Sequence, residues 1–157
     1  MKSAVSFAVA MIVALGLAAS PALAAGSDSG SSSAKQDPNY VAAKTQIDGG
    51  NYAAAVPLLE QVVASDPKNA NAYNYLGYSY RKMGNTDAAL VNYEKALALV
   101  PDHRGANEYL GELYLEMGQL DKAKERLKVL DGACFFGCEE YTDLKEAISA
   151  YEAKTGG

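Results

Sequence analysis

Residues 73–101, YNYLGYSYRKMGNTDAALVNYEKALALVP, decide the fold of this chain. The first part carries residues at i, i+3, i+4 and i+7, the spacing of one helix face: Tyr73, Leu76, Gly77 and Tyr80. Residues 83–85 then turn the chain, because Gly84 can adopt a positive φ after a helix, and Pro101 ends a second helix. We expect Gly77 to let the second helix, with its small Ala89, approach closely.

The same pattern returns at a fixed spacing. Gly77 and Gly111 lie 34 residues apart, and this shift also superposes Tyr80 on Tyr114 and Ala89 on Ala123. Upstream, the shift aligns three further pairs: Gly50 with Gly84, Ala55 with Ala89, and Pro67 with Pro101. A period of this length is typical of a stack of helix pairs. We therefore predict repeat units at about residues 36–69, 70–103 and 104–137.

The middle unit resembles a tetratricopeptide repeat. The family's eight signature positions are filled by Tyr73, Leu76, Gly77, Tyr80, Ala89, Tyr93, Ala96 and Pro101. The outer units depart from the pattern. In the first unit, Asn39 and Gln46 stand where aromatic residues are expected. In the third, Asn107 replaces the first aromatic residue and Phe135 replaces the proline. The resemblance implies an all-α fold: a right-handed α-solenoid of about three helix pairs plus a C-terminal capping helix.

The capping helix is predicted at residues 139–154. Tyr141, Leu144 and Ile148 continue the register of a first helix, but Lys145 stands where a small residue belongs. Because no second helix follows, that small residue is not required. A helix with a polar outer face is the usual end of such a stack. Together with the repeats it gives a tetratricopeptide domain at residues 37–154.

The first residues predict export. Lys2, the apolar run of residues 4–19 and the small residues around Leu23 resemble a secretory signal peptide covering residues 1–24. The alternative is a membrane anchor, which needs a run of about 20 apolar residues. Residues 25–36 are rich in Ser and Gly and predict a flexible linker. We therefore expect a periplasmic or secreted protein that is not inserted in the membrane after cleavage.

Composition excludes several classes of function. The 157 residues carry 14 Lys and Arg against 19 Asp and Glu, a net charge of −5, and cleavage before Ala25 would remove Lys2 and make it −6. This balance argues against nucleic acid as a partner. With one His, two Cys and no Trp, the chain is expected to have no catalytic residues, cofactor or metal site. We expect His103 to be a solvated helix cap rather than a general base.

Cys134 and Cys138 are expected to form a structural disulfide in an oxidising compartment. The i, i+4 spacing is too wide for a disulfide on a regular helix, so this segment should be a turn, which Gly137 permits. Two alternatives stay open. The cysteines could be redox-active, acting in thiol–disulfide exchange, or they could bind a metal.

The resemblance also implies a peptide-binding groove on the concave face formed by the first helices. Carried onto this chain, its positions are Tyr40, Lys44, Asn71, Asn74, Tyr78, Arg81, Glu108 and Glu112, with Glu139, Thr142 and Glu146 on the cap. We expect the glutamates to gather at one end without internal partners, and Lys44 and Arg81 to lie toward the other end. The predicted partner is then a protein or peptide with a basic segment; the alternative is that these charges are only a solvated face.

Overall fold

The computed structural model describes residues 37–156, which form seven helices and no strands. In chain order these are α1 (Pro38–Asp48), α2 (Tyr52–Ser65), α3 (Ala70–Lys82), α4 (Thr86–Leu99), α5 (Arg104–Glu116), α6 (Leu120–Ala133) and α7 (Glu139–Thr155). The predicted all-α solenoid of three helix pairs and one cap is confirmed. None of the helices in this part of the chain has the length and apolar character needed to cross a membrane. The predicted signal peptide and linker, residues 1–36, lie outside the described residues.

The helix bounds repeat with the period seen in the sequence. Adding 34 to the bounds of α3 gives those of α5, and the same shift takes α2 to α4 and α4 to α6. Helix α6 continues through Ala133, which gives it the 14 residues of α2 and α4.

Local sequence explains where the helices begin and turn. A side-chain acceptor caps the first helix of each pair: Asp37 Oδ1 accepts from Asn39 N (2.7 Å), Asn69 Oδ1 from Ala72 N (3.0 Å) and His103 Nδ1 from Ala106 N (3.1 Å). Gly84 has φ 77° in the turn between α3 and α4, as expected. Pro57 lies inside α2, where it removes one backbone hydrogen bond.

The core runs along the stack as three clusters of apolar side chains. One cluster joins α1, α2 and α3 around Leu59 and Leu76. The next lies between α4 and α5 around Tyr93 and Leu113. The third joins α5 and α6 to α7, with Leu144 fully buried, so the last helix closes the end of the core as a cap should.

Gly77 of α3 packs directly against α4. A Cβ at this position would lie 2.6 Å from two ring carbons of Tyr93. The expectation that Gly77 permits a close approach is thus correct, but the neighbour is the buried Tyr93 ring rather than Ala89. Position 77 needs a glycine because the Tyr93 ring occupies the space that a side chain would fill.

Helix α7 packs against α5 through the equivalent glycine. A Cβ on Gly111 would lie 2.5 Å from a methyl carbon of Leu144. Helix α6 also contacts α7, because Lys124 pairs with Glu152 (2.6 Å). Because α7 lies directly on α5, its first turn lies next to the predicted groove residues of the third unit.

Candidate peptide-binding groove

The odd-numbered helices form one layer through direct side-chain contacts between neighbours. Tyr40 of α1 packs edge-on against Tyr75 of α3, with ring centroids 5.8 Å apart. Tyr78 of α3 packs against Tyr109 of α5 at 4.8 Å. Each predicted groove residue of the first two units contacts a neighbouring odd-numbered helix or, for Asn71, the residue that caps it, as described below.

Four tyrosines follow this layer, and we call them the tyrosine row: Tyr40, Tyr75, Tyr78 and Tyr109. Sequence reasoning assigned Tyr40 and Tyr78 to the groove and missed the other two. The signal was available, because Tyr75 and Tyr109 are themselves 34 residues apart. Tyrosines offer flat apolar area together with a hydroxyl, a combination suited to holding a peptide.

Lys44 belongs to this row rather than standing free. Its Nζ donates a hydrogen bond to Tyr75 Oη (3.0 Å) and lies 4.8 Å from the centre of the Tyr75 ring. The hydrogen bond to Tyr75 raises the pKa of Lys44 above its ordinary value. The ammonium group therefore stays charged while it joins α1 to α3.

Arg81 corrects the predicted charge arrangement. Its guanidinium pairs with Glu112 and, at 2.8 Å, with Glu116, both on α5. The expectation that the glutamates lack internal partners was therefore wrong for Glu112, and Arg81 lies beside the acidic end instead of opposite it. Arg81 and Glu112 belong to successive repeats, and they form an ion pair because α3 and α5 are neighbours in the layer.

Glu108 is the second correction, because it is not a solvated charge. It is 7% exposed, and no side chain or backbone group of residues 37–156 donates a hydrogen bond to it. Burial raises the pKa of Glu108 to about 8, and the charges of Glu112, Asp143, Glu140 and Glu139 add to the effect. Near neutral pH this group is largely uncharged.

Asn74 faces the same region from α3. It is 5% exposed, and its Nδ2 lies 3.2 Å from the point where a Cβ on Gly105 of α5 would be. Its Oδ1 is buried without a hydrogen-bond partner. A buried acceptor without a donor is rare, since it forfeits its bonds to water.

Asn71 contacts His103, the residue that caps α5. The Nδ1 atom of His103 accepts from Ala106 N, so the ring proton resides on Nε2, which donates to Asn71 Oδ1 at 2.9 Å. The expectation that His103 caps α5 is correct, although the ring is partly buried rather than fully solvated. Burial lowers its pKa below the ordinary value.

This cap predicts a loss of stability in acid. Protonation of Nδ1 removes the acceptor for Ala106 N, and a His with a lowered pKa stabilises the fold above its unfolded pKa of about 6.5 and loses that contribution as the pH falls further. Against a His103→Asn variant, which copies Asn69 one repeat earlier, we expect wild type to lose about 1 kcal/mol between pH 7 and 5. Urea unfolding at both pH values measures it. An equal loss in both proteins would contradict the assignment.

The cysteine turn lies between α6 and α7. The sulfurs of Cys134 and Cys138 are 2.04 Å apart, and Gly137 has φ 82°, as expected of a turn. Formation of this bond in the cell stays a prediction, because it needs an oxidising compartment. Cys134 is 8% exposed and Cys138 is partly exposed, and no further feature of the described residues favours the redox alternative, which we do not propose.

Two phenylalanines within this turn point into solvent. Phe135 is 90% exposed and Phe136 is 100% exposed, and their rings lie 6.2 Å apart. Phe135, at the position of the family's proline, packs against nothing in the core.

Within residues 37–156, no group of three or more His, Cys, Asp or Glu side chains is arranged to hold a metal ion.

Seven helices that repeat with a period of 34 residues define a helical-repeat protein. Two family models, both described as tetratricopeptide repeat, match residues 40–90 and 80–148. Together they cover more than half of the chain, which therefore belongs to the tetratricopeptide repeat family. No curated protein matches the chain in sequence.

Solved structures agree with this fold. The Yersinia enterocolitica type III secretion chaperone SycD, in complex with a peptide of the translocator YopD, is 20% identical with a TM-score of 0.65, over 74% of this chain and 92% of that one. PcrH, in complex with the chaperone-binding region of PopD, is 19% identical with a TM-score of 0.63, over 75% and 89%. The second tetratricopeptide domain of human RPAP3, with an HSP70 peptide, is 18% identical with a TM-score of 0.62, over 69% and 91%.

Proposed function

We propose that this protein is a non-catalytic, exported adaptor that binds a segment of a partner protein along the odd-numbered helices, and that this segment is basic. The observation that carries the proposal is the tyrosine row, which leads along one layer to Glu108 and the carboxylates of α7. The three neighbours described above bind peptides or chaperone-binding regions, which supports the binding of a peptide by this fold.

The proposed basic character of the partner follows from the charges that remain unpaired after the internal pairs are formed. Arg81 compensates Glu112 and Glu116, whereas Glu139 and Glu146 on α7 are exposed. Lys or Arg side chains of a bound segment would supply the missing positive charge. Such charges mainly speed association, and their effect weakens as salt shortens the screening length of about 10 Å.

The test begins with a partner captured from the exported fraction and continues with binding kinetics. Replacing Glu139 and Glu146 together by Lys should slow association about tenfold at low salt and change dissociation little. The matched control reverses Glu94 and Glu125, two exposed glutamates on the even-numbered helices α4 and α6, and should bind like wild type. Equal association rates for all three proteins would mean that the acidic end is only a solvated face.

Export is part of the proposal and has its own test. The apolar run after Lys2 and the small residues near Ala24 support removal of residues 1–24. Expression of the full chain in a bacterium should then give an exported product that starts at Ala25. A product that keeps Met1 in the exported fraction would contradict the cleavage site.

A further inference from the structure

We propose that Asn74 and Glu108 form a pocket for one positively charged amine, the ammonium group of a lysine or of a chain terminus. The inference rests on the proposed function and deepens it by naming one subsite. Two observations carry it: Asn74 Oδ1 on α3 is buried without a hydrogen-bond partner, and Glu108 on α5 is 7% exposed and accepts no hydrogen bond from residues 37–156. We call these two residues the Asn74–Glu108 pocket.

Asn74 of α3 and Glu108 of α5 lie on the faces that these two helices turn toward each other. The Asn74 amide lies against Gly105, which precedes Glu108 by three residues, and residues three apart share a helix face. A helical side chain leans over the turn on its N-terminal side, which for Glu108 is the turn of Gly105 that Asn74 covers. Gly105 has no side chain to separate them.

The protein's own cations do not fill this pocket. Arg104 lies four residues before Glu108, a spacing at which ion pairs form, yet its Nη2 donates to Ala133 O of α6 at 3.3 Å. Arg81 pairs with Glu112 and Glu116. No cation within residues 37–156 forms a salt bridge with Glu108, so its charged form has no internal partner.

The surrounding groups favour an amine over other ligands. Glu112 on α5 and Glu139, Glu140 and Asp143 on α7 all raise the pKa of Glu108, so the local potential is negative. An anion would be repelled, and an apolar group would leave Asn74 Oδ1 without its hydrogen bond. An ammonium group has three donors, enough for both acceptors and a water molecule.

Occupation of the pocket must change the titration of Glu108. A positive charge within hydrogen-bond distance favours the carboxylate, so the pKa of Glu108 should fall by about 1 to 3 when the amine binds. Carbon-13 NMR of the Glu108 carboxyl measures this in the wild-type protein. The probe is the blocked tripeptide acetyl-Ala-Lys-Ala-amide, and the control is the same peptide with an acetylated lysine side chain at matched ionic strength.

Variants separate the pocket from general charge effects. Asn74→Leu and Glu108→Gln should each weaken binding of the lysine peptide about tenfold, while Glu116→Gln, which removes an exposed carboxylate already paired with Arg81, should change it less than twofold. An unchanged Glu108 pKa, or an equal fall with the acetylated peptide, would overturn the pocket.

The two proposals can fail separately. If the captured partner binds but Glu108→Gln has no effect on its affinity, the pocket is wrong and the adaptor function stands. If the pKa of Glu108 falls with the lysine peptide but no partner binds the layer, the pocket stands and the adaptor function is wrong.

Discussion

Replacing Gly77 by leucine should lower the free energy of unfolding by about 3 kcal/mol. A Cβ alone would lie 2.6 Å from the buried Tyr93 ring, and leucine adds three more carbons to the same place. Helices α3 and α4 must then move apart, which loosens the contacts on both sides of the middle unit. Urea unfolding followed by circular dichroism measures the change.

The chain offers a control for this substitution. Gly132 lies inside α6, and no atom lies within 4 Å of a Cβ built there, so Gly132→Leu should leave stability unchanged or raise it slightly. In the Gly77→Leu background, Tyr93→Leu, which copies Leu127 of the third unit, should recover part of the loss. Equal unfolding midpoints for Gly77→Leu and Gly132→Leu would show that the α3 and α4 contact is misassigned.

Replacing Glu108 by glutamine should stabilise the protein in mild alkali. The pKa of Glu108 is about 8 in the fold and about 4.3 when unfolded, so the folded state holds a proton that the unfolded state releases between these values. Stability from this group therefore falls as the pH rises from about 4 to 8. At pH 8.5 we expect Glu108→Gln to exceed wild type by on the order of 3 kcal/mol, and at pH 4 to equal it.

In the difference between the unfolding free energies of wild type and Glu108→Gln, the titration of all other groups cancels. Urea unfolding at several pH values gives it directly, and Glu116→Gln, an exposed glutamate on the same helix, serves as the control. A constant difference between wild type and Glu108→Gln across this pH range would mean that Glu108 is hydrated and ionises normally.

The fold could be predicted from the sequence because the information is local and repeated. Gly77, Tyr80 and Pro101 fix one helix pair, and the 34-residue shift copies it along the chain. Even the end of α6 follows from this shift, although Gly132 in its last turn is a poor helix former. Where periodicity and local composition disagreed, periodicity was correct because packing on α5 and α7 holds the last turn in place.

The site could be predicted only in part, because charge partners belong to neighbouring units. The family positions placed Arg81 and Glu112 in the groove but could not show that they pair, since that contact depends on how α3 meets α5. Burial of Glu108 also needs α7, whose register was known but whose close approach through Leu144 and Gly111 was not. The binding residues of the candidate groove remain predictions, which the experiments above test.

Gly105 has a consequence for how this chain could have grown or be lengthened. A second copy of residues 70–103 inserted after His103 would place its own Asn71 where Gly105 now lies against Asn74. The Cβ of that residue would lie 3.2 Å from Asn74 Nδ2, so the Asn74 side chain would have to shift by a few tenths of an ångström. The middle unit therefore fits its actual successor better than a copy of itself. A glycine at the second position of the new unit would leave the Asn74 side chain in place.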